Sequence, residues 1–190
     1  MAERVLEFMD QEMDLKRVRH TMQVADYARA LAPKFGIDPE KAYLAGLLHD
    51  CTKCYPAEWH LAFAKEQGIV LSDEDRACPQ ILHQYTAPVF ARKEWGCRDE
   101  EILSAIACHT TGKPGMNALE MLLFFADACE PGRDYPRVAE LRALGEQDLK
   151  KGTLALLEHT VSYLDSKKQF LHPQTAAARD DLIKELEKNG

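Results

Sequence analysis

The chain has 190 residues and 46% hydrophobic content, enough to bury one good core without disulfides or a structural metal. Its formal charge of −7 and pI of about 5.5 argue against a general electrostatic grip on nucleic acid or an anionic membrane, so an anionic substrate needs a local basic pocket. Six cysteines without a secretory leader, and no stretch of membrane-spanning length, point to free thiols in a reducing cytoplasm.

Residues 1–10 interleave charges with Val5, Leu6, Phe8 and Met9 and so lack the continuous apolar core of a signal peptide. Beyond them apolar residues recur at three and four positions, and no alternation is long enough for a useful strand, which predicts an all-α fold in a single domain over 1–190. Asp14 caps a helix through Leu15, Val18, Met22, Ala25 and Leu31 that closes near Phe35 at Pro33 and Gly36, with His20 on its inward side. Asp38-Pro39 is an N-cap followed by proline at the first helical position, and the helix it opens ends at His49-Asp50. Pro56 opens a helix to about Gln67, stopped by Gly68. Ser72-Asp73-Glu74-Asp75 is a helix start, and a longer helix from about Pro79 to Trp95 holds His83 and stops at Gly96.

Asp99 caps Glu100 to His109, and Thr110 to Gly115 is a loop on composition. Asn117 and Glu120 form a capping-box pattern for the helix that delivers Asp127, which breaks at Glu130-Pro131-Gly132-Arg133. Asp148 caps a helix to Leu164, and a last helix runs from about Thr175 to Lys188 after the connector Leu171-His172-Pro173. No internal repeat or interdomain linker is visible.

Histidines and aspartates without thiolate partners suit a borderline-to-hard divalent ion such as Fe, Mn, Co or Mg and metal-assisted hydrolysis. With 7 histidines and 14 aspartates, chance alone supplies about 0.5 His-Asp pairs, so the dipeptide needs its neighbours. Adjacent residues on a helix point about 100° apart, so His49 and Asp50 can share an ion only where the helix ends, which is where they stand. Cys51-Thr52-Lys53-Cys54 is a C-x-x-C, but it lacks both a second C-x-x-C and a preceding strand, which disfavours a zinc or redox role. Lys53 reads equally as a phosphate-facing cation or a solvated helix end. Gly112 and Lys113 read as a phosphate-facing loop or a plain solvated turn.

The residues Arg17-Val18-Arg19-His20, His49-Asp50-Cys51-Thr52-Lys53, His83, His109-Thr110-Thr111-Gly112, Leu119-Glu120, Phe125-Ala126-Asp127 and Glu130-Pro131-Gly132-Arg133 resemble the HD-domain phosphohydrolases, and within them the YqeK-type symmetrical bis(5′-nucleosyl)-tetraphosphatases. The resemblance covers essentially the whole chain, and the segment from His109 to Arg133 is far more specific than the dipeptide. It implies an HD-domain helical bundle, with His20, His49, Asp50 and Asp127 as ligands of an iron ion. It also implies that His83 and His109 point at substrate phosphates or a second metal; one ion or two both fit the sequence. It tips Lys53 toward phosphate and places Arg133 in the nucleotide site, where a guanidinium matches phosphate bidentately. Glu120 is then a cap or a partner of a ligand. Thr110, Asp127, Phe170, His172 and Thr175 are expected to contact the nucleotide, the last three as a cover.

The implied reaction is symmetrical cleavage of diadenosine tetraphosphate to two molecules of ADP, with Lys53, His83 and His109 in the catalytic set and neither nucleic acid nor membrane as partner. A homodimer is the base-rate assembly. The alternatives are another HD phosphohydrolase acting on a deoxynucleotide or cyclic nucleotide, and an inactive nucleotide-binding module.

Overall fold

A computed structural model describes residues 1–188, and no strand occurs among them. Eleven α-helices follow one another: α1 (Ala2–Glu12), α2 (Leu15–Leu31), α3 (Pro39–Leu48), α4 (Ala57–Gln67), α5 (Asp73–Ala77), α6 (Leu82–Trp95), α7 (Glu100–Cys108), α8 (Ala118–Cys129), α9 (Val138–Gln147), α10 (Leu149–Ser166) and α11 (Pro173–Lys188). The expected caps set the helix starts. Asp14 accepts from the Arg17 N–H, Asp38 from Glu40 and Lys41, and Asp99 from Glu101 and Ile102. Asn117 and Glu120 close a reciprocal capping box at the start of α8, and Ser72 and Asp75 do the same at α5.

Four boundaries differ from expectation. α2 stops at Leu31, and a 3₁₀ turn over Ala32–Phe35 completes it. The segment 79–81 is a 3₁₀ turn that leads into α6, α10 runs on to Ser166, and α11 begins at Pro173, where proline at the first helical position needs no N–H partner. Two helices have no counterpart in the sequence reading. α1 packs Val5 and Met9 into the core, and α9 starts from Arg137 at φ 71 without a side-chain cap.

Helix α8 is the centre of the molecule. Leu119 to Ala126 are buried without interruption, as expected of a helix apolar all round, and α2, α3, α7 and α10 pack around it. Helices α2 and α3 approach each other closely. A Cβ on Gly46 would lie 2.5 Å from the Ala25 Cα, so only glycine lets the two helices close this far and bring His20 beside His49.

Candidate metal centre

Five elements converge on Asp50, which is 1% exposed in the turn after α3. Its two carboxylate oxygens face different partners. Oδ2 lies 3.5 Å from His49 Nε2 and 3.9 Å from His20 Nε2; Oδ1 lies 3.2 Å from His83 Nε2 and 3.5 Å from His109 Nε2. Asp127, from α8, places Oδ1 2.9 Å from His20 Nε2 and 3.8 Å from His49 Nε2.

His49 and His109 reach the centre by the same device. Each sits at a helix C-cap and donates its Nδ1–H to the carbonyl three residues back, Gly46 at 2.6 Å and Ile106 at 2.7 Å. The carbonyls at a helix end lack intrahelical partners, so the ring satisfies one of them. A carbonyl can only accept, so Nδ1 carries a proton and Nε2 is the nitrogen that faces the centre, free to offer its lone pair to a cation. His20 is aimed in the same way by Glu130, whose Oε1 lies 3.2 Å from its Nδ1.

The electrostatics are those of a preformed cation site. Burial opposes charge on Asp50 and Asp127, but the surrounding imidazoles outweigh it and hold both carboxyls well below the usual range. Burial likewise opposes charge on His49, and Asp50 outweighs it, raising the ring's pKa. At His83 burial wins over the pull of Asp50 and brings the pKa down to about 4, which leaves the ring neutral at pH 7. His49 Nε2 is buried with no hydrogen-bond partner, and Asp50 Oδ2, buried beside it, has only the Lys53 ammonium 3.0 Å away. An orphan such as Nε2 is rare because an unmatched buried polar group costs roughly 1–3 kcal/mol. The donors fall into the sets His20/His49/Asp50, His49/His109/Asp127 and Asp50/His83/His109, with the ligating atoms of each set within 4.8 Å of one another. An all-nitrogen-and-oxygen set around a buried orphan nitrogen fits a divalent cation.

A cleft of about 530 Å³ opens over this centre. The cations Lys16, Arg17, Arg19, Lys53 and Arg133 line it and outnumber its acids Asp14, Asp50 and Glu130, a local basic pocket on an acidic chain. Lys53 donates to Asp50 Oδ1 at 3.1 Å. Arg133 is pinned on Asp127, with Nη2 2.9 Å from Oδ1 and Nε donating to the main-chain carbonyl at 2.9 Å. Thr110 Oγ1 stands 3.2 Å from His83 Nε2 and 3.1 Å from His109 Nε2.

Other residues singled out in the sequence lie elsewhere. The Lys113 ammonium bonds Glu120 at 2.6 Å and Ser104 at 3.0 Å, so Lys113 is an internal tie between α7 and α8, and a Cβ on Gly112 would meet Ala178 at 3.2 Å. Of the residues in this loop, Thr110 is the one whose side chain meets the His83 and His109 rings. Phe170 is 51% exposed, His172 bonds Asp75 at 3.1 Å, and Thr175 is buried; none of the three is among the residues that line the cleft. Cys51 and Cys54 are free thiols, and burial pushes both pKa values up, which suits packing rather than metal binding. Glu130, Lys16, Arg17 and Arg19 had no assigned role in the sequence reading.

The HD domain model matches residues 17–132. A protein of Halalkalibacterium halodurans named symmetrical bis(5′-nucleosyl)-tetraphosphatase is 33% identical over 96% of this chain and 97% of its own length. The protein of that name from Bacillus subtilis is 34% identical over 91% and 92%. A crystal structure from Clostridium acetobutylicum, described as a predicted HD superfamily hydrolase involved in NAD metabolism, superposes with a TM-score of 0.95 at 37% identity over 97% of this chain and 98% of that one.

Proposed function

The chain belongs to the HD domain family, and we propose that it is a metal-dependent hydrolase that splits diadenosine tetraphosphate and related dinucleoside tetraphosphates symmetrically. One water is added, one inner P–O–P bond breaks, and two nucleoside diphosphates leave. The observation that carries the reading is the buried cluster of four imidazoles and two carboxylates, with His49 Nε2 left without a partner, beneath a cationic cleft. The relatives' names support the substrate.

His20, His49, Asp50 and Asp127 would hold one divalent ion, with iron favoured and manganese, cobalt or magnesium compatible with the same donors. Asp50 Oδ1 with His83 and His109 would hold a second. When bound, such ions lower the pKa of water and offset phosphate charge. The chain's own groups do the rest. Glu130 keeps the His20 ring aimed, and Gly46 and Ile106 do so for His49 and His109. Arg133, Lys53 and Arg19 offer cations to the polyphosphate, and the neutral His83 ring is better suited to coordinate than to protonate a leaving group. Diphosphate is a good leaving group, so a general acid adds little here.

No helix among the described residues is long and apolar enough to cross a membrane. A cytoplasmic homodimer is the setting and assembly we propose for this activity. Product analysis tests the reading. Two equal nucleoside diphosphates from diadenosine tetraphosphate support it; a nucleoside with inorganic phosphate from a mononucleotide, and no cleavage of the tetraphosphate, would move the chain to another HD hydrolase activity.

A further inference from the structure

Three consecutive side chains of α6 reach three different partners. His83 faces Asp50, and Tyr85 donates to Asp75 at 2.5 Å. Between them Gln84 is fully buried. Its Oε1 accepts the backbone N–H groups of Thr110 at 3.3 Å and Thr111 at 3.2 Å, and its Nε2 donates to Thr111 Oγ1 at 3.1 Å. The Thr111 hydroxyl donates onward to the Gly112 carbonyl at 3.0 Å. Two N–H donors at one end and a hydroxyl acceptor at the other fix which end of the carboxamide is oxygen.

These bonds join the residue after His83 to the two residues after His109. The Nε2 atoms of the two rings lie 3.0 Å apart on separate helices, and both face Asp50 Oδ1. The Nδ1–H of His109 is held by Ile106, so in the neutral ring its Nε2 can only accept, and a bond between the rings needs His83 as donor. Gln84 bridges the two segments that carry them whichever tautomer His83 adopts.

We propose that Gln84 is a positioning residue that ties the turn after His109 to the helical turn carrying His83, and so sets how the two imidazoles approach Asp50 together. The inference rests on the proposed function, in which those rings hold a cation or face phosphate. Loss of a group that orients a ligand commonly costs 10- to 100-fold in activity or metal affinity.

The test compares wild type with Q84L and Q84E. Leucine leaves two turn N–H groups without their acceptor, whereas glutamate keeps an oxygen for both. Three quantities are read: amide hydrogen exchange at Thr110 and Thr111, kcat and KM separately for diadenosine tetraphosphate, and Co²⁺ affinity of the metal-free protein. In Q84L we expect at least about tenfold faster exchange confined to this turn. We also expect kcat lowered roughly 10- to 100-fold with KM within about threefold, and weakened Co²⁺ binding. Q84E should restore most of each. Unchanged exchange, faster exchange with unchanged kcat and Co²⁺ affinity, or Q84E no better than Q84L would overturn the proposal. If wild type releases no nucleoside diphosphate, the proposed function alone falls, and exchange with Co²⁺ affinity still decides the role of Gln84. Should Q84L fail to fold, Thr111→Val, which removes only the hydroxyl bonded to Nε2, should show the same pattern at smaller size, and a wild-type result for it would overturn the proposal.

Discussion

Replacing Glu130 with glutamine tests whether the metal centre depends on a residue that touches no metal. Glu130 is 3% exposed; its Oε1 faces His20 Nδ1 at 3.2 Å and its Oε2 accepts the Gly132 N–H. Glutamine keeps one oxygen. If that oxygen serves His20, the amide NH₂ confronts the Gly132 N–H, and if it serves Gly132, the NH₂ confronts a ring nitrogen that must itself donate. Either way one charge-assisted bond is lost, about 1.5–3 kcal/mol. At about 1.36 kcal/mol per factor of ten, that is roughly 10- to 150-fold. The range overlaps the usual cost of removing a carboxylate behind a ligating histidine. Metal affinity by competition with a chromophoric chelator, and kcat/KM on diadenosine tetraphosphate, should both fall by such a factor in Glu130→Gln. Values for both within about threefold of wild type would refute the idea that Glu130 aims His20.

Asp50→Ala removes the one carboxylate that faces all four imidazoles, so bound metal by elemental analysis and turnover should both be lost, while circular dichroism stays helical. Full metal content with full activity would contradict the assignment. Arg133→Ala should lower kcat/KM by roughly 10- to 150-fold, with Arg133→Lys recovering only part of it, and adenine and guanine dinucleotides should lose equally because phosphate contacts carry no base information. A changed base preference at an unchanged best rate would place Arg133 on the base instead. The buried His60, bonded to Thr86 at 2.8 Å, has its pKa lowered by burial, so its neutral form favours the fold. The unfolded chain therefore binds the extra proton below about pH 6.5, and stability is lost as pH falls from there toward the folded value. Unfolding free energies of metal-free protein from urea titrations should drop less between pH 7 and pH 5 in His60→Gln than in wild type, by up to about 1.4 kcal/mol per pH unit; equal drops would rule out this contribution.

Helix starts were legible because they depend on short-range chemistry. A carboxylate or amide within three residues of a free N–H specifies the N-cap wherever it occurs, as at Asp14, Asp38, Asp99, Asn117 and Asp148. Helix α9 lacked that signature. It begins at a left-handed arginine after Pro136, and its place is set by a tertiary contact in which a Cβ on Gly145 would sit 2.2 Å from the Phe125 ring. α1 fully buries only Val5 and Met9, with Phe8 packed on Phe90 and Trp95, and so few apolar contacts on a charged segment are a weak periodic signal.

The site divides along the same line. The imidazoles and carboxylates of the centre are chemically conspicuous, and the end of α3 at His49-Asp50 followed from the apolar run before it. The groups that aim them are not conspicuous. Gly46 and Ile106 act through main-chain carbonyls, which every residue has, and Gln84 acts through an amide that is ordinary in any helix. Glu130 reads as part of a helix-breaking turn with Pro131 and Gly132, and only the fold brings it across to His20, 110 residues earlier in the chain. The same convergence explains why Lys113 failed as a phosphate ligand. A lysine in a glycine-rich loop has cationic reach in every direction, and the nearest buried carboxylate, Glu120, captures it first. The sequence therefore exposes which atoms can bind a cation. The fold decides which of them converge and which is left without a partner, and that is why the buried cluster around the orphaned His49 Nε2 locates the centre more sharply than the His-Asp dipeptide does.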